Sequence, residues 1–220
     1  MEFIFLTKIK LNRNSCLLLL FILSANCFSQ KTIEKEIDAT LINSIEINSD
    51  LVNSITVFSS NTNVIKVTTK IEGEHYENVI LSLIEKDHKL YINPDFTPFF
   101  EADNDKLAAH KVQSIEMNLL IPERLELSIK SKIASVQSNG SFNSIFVILE
   151  NGNCTLQEFV GDAIIKTNIG FIAVYAKEKI FGEALSKKGI IINNLSENIN
   201  SKYRIFAESK VGSISLFQIH

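Results

Sequence analysis

Tryptophan is absent from the 220 residues, proline occurs three times and cysteine three times. Two of the cysteines, Cys16 and Cys27, fall in a leader-like N-terminus, so a processed chain keeps only Cys154 and can form no internal disulfide. Stability then has to come from apolar burial and backbone pairing. Beyond the leader no apolar run approaches the roughly 20 residues that span a bilayer. A basic excess is missing too: 22 Lys and Arg face 25 Asp and Glu, which argues against nucleic acid, whose phosphates need a basic face. Also absent are a Gly-x-x-x-x-Gly-Lys-Ser/Thr loop, a Gly-x-Ser-x-Gly elbow, a Gly-x-Gly-x-x-Gly fingerprint and a Cys-x-x-Cys pair. Nucleotide, hydrolase-elbow, dinucleotide and thiol-redox chemistry lose their usual support. No cofactor is expected.

What is present begins with that leader. Lys8, Lys10 and Arg13 precede the apolar run Cys16 to Leu23, and small polar residues from Ser24 to Ser29 follow. This is the layout of a secretory signal peptide over 1–29, with cleavage after Ser29. The alternative, a lipid on Cys27, is disfavoured by Asn26, where lipoprotein signals carry a small residue. The expected location is secreted, either the periplasm or the outer cell surface, with no transmembrane segment in the mature chain.

Two stretches with different patterns follow. Over 30–122, apolar residues alternate at the strand period, as in Ile45 and Ile47, Ile55 and Val57, or Ile115, Met117 and Leu119. Residues 81–92 read as an antiparallel hairpin turning at Asp87 and His88. Over 123–220 the alternation becomes a repeat. Gly152-Asn153-Cys154-Thr155-Leu156 recurs as Gly170-Phe171-Ile172-Ala173-Val174, then from Gly189 and from Gly212, with Lys132 to Val136 as a version lacking the glycine; the steps are 20, 18, 19 and 23 residues. A second column, Gly140, Gly161 and Gly182, leads at the same 21-residue step to Tyr203. Short strands repeating at about twenty residues cannot bury an apolar side alone and must stack. This predicts Cys154 beside Ala134 and Ile172, Ile172 aligned with Ile214, and Leu156 beside Val174. Asn193 breaks the apolar column, and either a one-residue shift or an internal amide ladder would accommodate it. The expected fold is all-β: an antiparallel N-terminal part capping a short right-handed parallel β-helix.

With its export signal, strand-rich first half, the hinge Leu119-Leu120-Ile121-Pro122 leading to Leu125-Glu126-Leu127-Ser128, and serial Asn-Gly and Gly-Asp corners, the chain from about Ile33 to His220 resembles the auto-transporter adhesin head, or GIN-domain, family and a related bacterial β-strand-repeat family of unknown function. It departs from that pattern at Lys132 and Tyr203, which replace corner glycines. The resemblance implies an exported, adhesin-like protein of the cell envelope.

Few residues suggest chemistry. Asp162 and Glu183 follow successive corner glycines, and neighbouring rungs would bring them to the roughly 5–5.5 Å of a retaining glycosidase pair. Against that stands the plainer reading of two corner residues, with Arg204 as a charge partner for Glu183. Glu101, Asp103 and Asp105 alternate as calcium ligands do, yet the loop lacks the glycine and distal glutamate of an EF-hand and reads as a solvated acidic loop. Phe96, Phe99 and Phe100, with Pro94 and Pro98, form either an exposed ligand platform or a pin for their loop. His75, His88, His110 and His220 are scattered too widely to share a metal. Cys154 falls in an apolar column and reads as a buried small residue rather than a nucleophile.

The sequence therefore predicts no catalytic, cofactor or metal site and a non-enzymatic binding protein. Its expected partners are a surface glycan or an envelope protein, with self-association through the C-terminal rung, where Leu216 would sit on an open edge. The alternatives are a polysaccharide-active β-helix using Asp162 and Glu183, and a structural envelope component.

Overall fold

The computed structural model describes residues 30–73, 75–100, 114–196, 198 and 200–219. The signal peptide 1–29 with Cys27, the acidic loop of Glu101, Asp103 and Asp105, and His110 and His220 lie outside the described residues. Fifteen strands follow in order: β1 Gln30–Asp38, β2 Ser44–Asn48, β3 Ser54–Ser60, β4 Val64–Glu72, β5 Val79–Lys86, β6 Lys89–Phe96, β7 Ser114–Pro122, β8 Glu126–Ser131, β9 Ser135–Asn151, β10 Cys154–Ile169, β11 Ile172–Ala176, β12 Ile180–Lys188, β13 Ile191–Asn193, β14 Tyr203–Val211 and β15 Ile214–Gln218. No α-helix occurs among the described residues.

All fifteen belong to one sheet that wraps around a single core like a nearly closed barrel. It consists of two runs that share the long strands β9 and β10. One run is β1-β4-β7-β3-β9-β10-β11-β15-β13, and the other is β5-β6-β2-β8-β9-β10-β14-β12. The first halves of β9 and β10 lie in the first run and their second halves in the other. Where β10 passes between the runs, its register with β9 shifts between Gln157 and Asp162, with Glu158 at φ 45° and Gly161 at φ 140°. At one end Lys31 Nζ donates to the carbonyls of Glu77 and Val79, drawing β1 towards β5.

Strict alternation fills the interior. Ile55, Val136, Cys154, Ile172 and Ile214 are directly paired in turn across the first run, and all are buried. Ile47, Ile129, Val147, Ile165 and Ala207 do the same in the second. Phe142 stacks on Phe159 at 6.2 Å, inside one apolar cluster drawn from both runs. Each such aliphatic side chain contributes about 1.5–3 kcal/mol by leaving water.

The glycine phrase is a corner in which backbones pack directly on one another. Cβ atoms on Gly152, Gly170 and Gly212 would collide with the carbonyls of Ala134, Gly152 and Gly170 in turn, and Gly170 and Gly212 sit at φ 154° and 153°. A hydroxyl ladder reinforces the corner: Thr167, Ser209 and Ser186 donate to the carbonyls of Gly152, Gly170 and Gly212 at 2.9–3.0 Å.

Cys154 lies beside Ile172 and Leu156 beside Val174, the pairing the spacing predicts, and Ile172 adjoins Ile214. The Asp87-His88 turn is present as well. Lys86 pairs with Lys89, and both turn residues take positive φ, at 52° and 61°, the primed geometry that suits strand twist.

Other expectations need correction. Val136, not Ala134, is the neighbour of Cys154; Ala134 packs instead against Gly152, because the true step here is 18 residues. The second glycine column also fails, since Gly182 pairs with Ile205, as does Ala163, which places Gly182 two residues past the Gly161 level. Antiparallel pairing is confined to β1-β4-β7 and β5-β6; β2 and β3 pair in parallel with β8, β6, β7 and β9.

The coils do not stack serially. β14 lies between β10 and β12, and β15 lies between β11 and β13. The final coil is thus inserted inside the one before it. Leu216 is 0% exposed and paired on both sides, so the C-terminal strand is not the open edge that the sequence predicts; the strands with a single paired neighbour are β1, β5, β12 and β13. Asn193 keeps register opposite Leu216 without a shift. Its Nδ2 donates to Gly182 O at 2.7 Å and its Oδ1 accepts from Leu195 N at 3.1 Å, which ties the edge strands β12 and β13 together.

Candidate functional site

A shallow groove of about 250 Å³ opens on the outer surface of β10, β14 and β12. Its floor is the buried pair Ala163 and Ile205, and its sides are Ile164, Phe206 and Phe181, with Glu183 and Arg204 at the lip. Alternation creates it: the residues between the buried positions of these strands must point outward, and here they are large and apolar. Ile164 is 43% exposed, and the Lys166 ammonium lies 5.4 Å from the Phe206 ring while pairing with Glu208 at 3.2 Å. A desolvated ligand surface with one acid and one base at its rim would suit this shape.

The paired-carboxylate reading of Asp162 and Glu183 is corrected by the strand order. β14 separates them, and Asp162 stands level with Arg204, whereas Glu183 stands level with Phe206, two residues on. Two strand spacings and two residues of offset put their Cα atoms about 12 Å apart, not the one strand spacing that neighbouring rungs would give. Asp162 is engaged as well, since its Oδ1 accepts a hydrogen bond from Arg204 N at 2.8 Å. The expectation that Arg204 lies beside Glu183 holds only diagonally, because its direct partner on β12 is Phe181.

Cys154 is fully enclosed, and burial pushes its thiol up to about 12. A thiol so far from its thiolate is a packing residue. Phe100 stacks on Phe96 and meets His75 edge-on, each at 5.0 Å. These rings pin the described part of the loop, leaving Phe99 fully exposed. His88 Nδ1 lies 2.8 Å from Leu41 O, a turn contact. Among the described residues no three His, Cys, Asp or Glu side chains gather to hold a metal, and no helix is long and apolar enough to cross a membrane.

The groove itself was missed from the sequence. Ile164, Phe206 and Phe181 are outward apolar residues on three strands, but their adjacency depends on β14 being inserted between β10 and β12.

No protein-family model and no curated protein sequence matches the chain. A putative cell adhesion protein from Clostridium sporogenes superposes on 86% of this chain and all of its own with a TM-score of 0.63, at 16% sequence identity. The chain has that protein's fold. Putative adhesins from Bacteroides fragilis and Parabacteroides distasonis are 12% and 13% identical, each over 85% of this chain and 97% of their own, with TM-scores of 0.38 and 0.33. Those two align too loosely to inform the groove, and at such identities none of the three transfers a ligand or a site residue.

Proposed function

We propose that the chain is an exported, adhesin-like binding protein of the bacterial cell envelope that holds its ligand without chemical turnover. The observation that carries this reading is the groove of Ile164, Phe181 and Phe206, whose two nearby carboxylates stand a strand apart, one of them bonded to backbone. Export rests on the leader 1–29. The parallel strands of 123–220, joined by β2 and β3, serve in this reading as a short right-handed β-solenoid with antiparallel β1, β4 and β5 at its end, a rigid frame that presents outer faces at low entropic cost. The likeness in fold to the Clostridium sporogenes protein supports an adhesive role.

A glycan array together with a pull-down of envelope components tests this. Retention of a ligand that is weakened by Phe206→Ala and left chemically intact is the expected result. Turnover of a bound glycan that disappears in Asp162→Asn would overturn it, and stoichiometric capture of one envelope protein with no glycan affinity would indicate a structural component instead.

A further inference from the structure

The first run carries a second outer surface whose composition is unlike the rest of the molecule. In β3, the start of β9 (135–141), the start of β10 (154–157), β11 and β15, there is no Asp, Glu, Lys or Arg at all. Every strand of the second run from β2 to β12 carries charge, as Glu46, Lys130, Lys166, Glu208 and Glu183 illustrate. About 25% of the residues of a typical soluble domain are charged. Five adjacent strands without one charge therefore need a reason.

Their outward residues are amides, hydroxyls and rings. Thr56, Gln137 and Thr155 form one line across neighbouring strands. Phe58, Asn139 and Gln157 form the next; beyond the register shift that follows Leu156, Tyr175 pairs with Phe217. The Phe58 ring is 49% exposed, and the rings of Tyr175 and Phe217 stack at 5.8 Å and 21°. A dip of about 30 Å³ lies among Thr56, Phe58, Gln137, Asn139 and Gln157.

We infer that this uncharged face binds a neutral glycan. A partner bearing charge would find little complement here, since the Glu158–Lys177 ion pair at the margin already matches its own charges, and charge matching is how interfaces steer and select such partners. Side-chain amides and hydroxyls both donate and accept, as sugar hydroxyls do, and the flat rings offer apolar surface to the C–H faces of a sugar. Five strands at about 4.8 Å by four or five residues at about 3.3 Å give roughly 400 Å², half of the about 800 Å² each partner of a stable protein pair buries. A short run of sugars fits that area, with one strand spacing close to one sugar residue. The inference rests on the binding reading above but assigns a different surface from the groove.

Affinity electrophoresis of the whole chain through gels holding mannan, xylan, laminarin or, as the anionic control, polygalacturonate tests it. The expected result is retardation by at least one neutral polysaccharide and not by polygalacturonate. Phe58→Ala and Gln157→Ala should each weaken retardation, the former about tenfold, as loss of one ring contact implies, while Ile84→Ala, at an exposed position of β5 outside both surfaces, changes nothing. Retention should shift less than about twofold between low and high salt, since no charges are there to be screened. Unaltered circular dichroism of the variants excludes unfolding as the cause. Retardation by polygalacturonate alone, by no neutral polysaccharide, or with an unaltered response in Phe58→Ala and Gln157→Ala overturns the inference. In the last case, loss in Phe206→Ala would leave the binding reading standing with the groove as its site; a chain that retains neither glycan nor envelope protein fails both.

Discussion

Replacing Gly170 by alanine tests how tightly the corners are packed. The new Cβ would lie 2.7 Å from the carbonyl carbon of Gly152 and closer still to its oxygen, where non-bonded contact wants about 3.5–4.0 Å. Both atoms are backbone, so relief requires moving one coil against the next. Gly170 also sits at φ 154°, a strained setting for alanine worth about 1–3 kcal/mol, and overpacking adds about 1–3 kcal/mol. The expected loss is about 2–6 kcal/mol against a total stability of about 5–15 kcal/mol. Urea denaturation followed by far-ultraviolet circular dichroism reads it, as the chain has no tryptophan to report. Gly182→Ala is the control: its Cβ meets the Leu195 methyl at 2.6 Å, and a side-chain end can swing away, so about 1 kcal/mol or less is expected. A Gly170→Ala loss no larger than that of Gly182→Ala would refute the packing argument.

Four further outcomes follow from the same geometry. Cys154, its thiol held up near 12 by burial, should resist iodoacetamide at pH 8 until urea unfolds the chain, which mass spectrometry reads as labelling that tracks unfolding. Phe159→Ala, which removes a 0% exposed ring stacked on Phe142, should cost about 3–5 kcal/mol in the same denaturation assay. Asp50 titrates below 3.8 because the Lys132 ammonium hydrogen-bonds its carboxylate; the stability this pair adds is present above pH 3.8 and fades as pH falls through the lowered value, and Lys132→Met should return Asp50 towards 3.8 in an NMR titration. Asp87→Asn, at φ 52° in the two-residue turn, should raise stability by a few tenths of a kcal/mol, because asparagine tolerates the left-handed region better.

Period-two alternation and the corner glycines made the strands, the inward column from Cys154 to Ile214 and the hairpin turn legible before any coordinates. The same signals are blind to what was missed. Alternation reads alike for parallel and antiparallel neighbours, so β2 and β3 could not be told from a cap. Placing Ala134 where Val136 stands is an error of two residues, which preserves the inward and outward faces and leaves no trace in the pattern. The insertion of β14 and β15 inside the preceding coil is equally silent, since each apolar column accepts its strands in either order. That insertion separates Asp162 from Glu183 and brings Ile164, Phe206 and Phe181 together. Neither the carboxylate separation nor the groove could be obtained from spacing along the chain. The uncharged face is different: its residues were visible from the outset, but without the strand order nothing joined Phe58 to Gln157 and Tyr175.

The inserted coil is the arrangement on which groove, edges and outer faces all depend, and methyl-to-methyl nuclear Overhauser contacts in isoleucine-labelled protein test it most directly. Ile214 should show contacts to both Ile172 and Ile191, one strand spacing of about 4.8 Å to either side, with no contact between Ile172 and Ile191. A direct Ile172 to Ile191 contact, with Ile214 touching Ile191 alone, would mean the coils stack in chain order and would contradict the account.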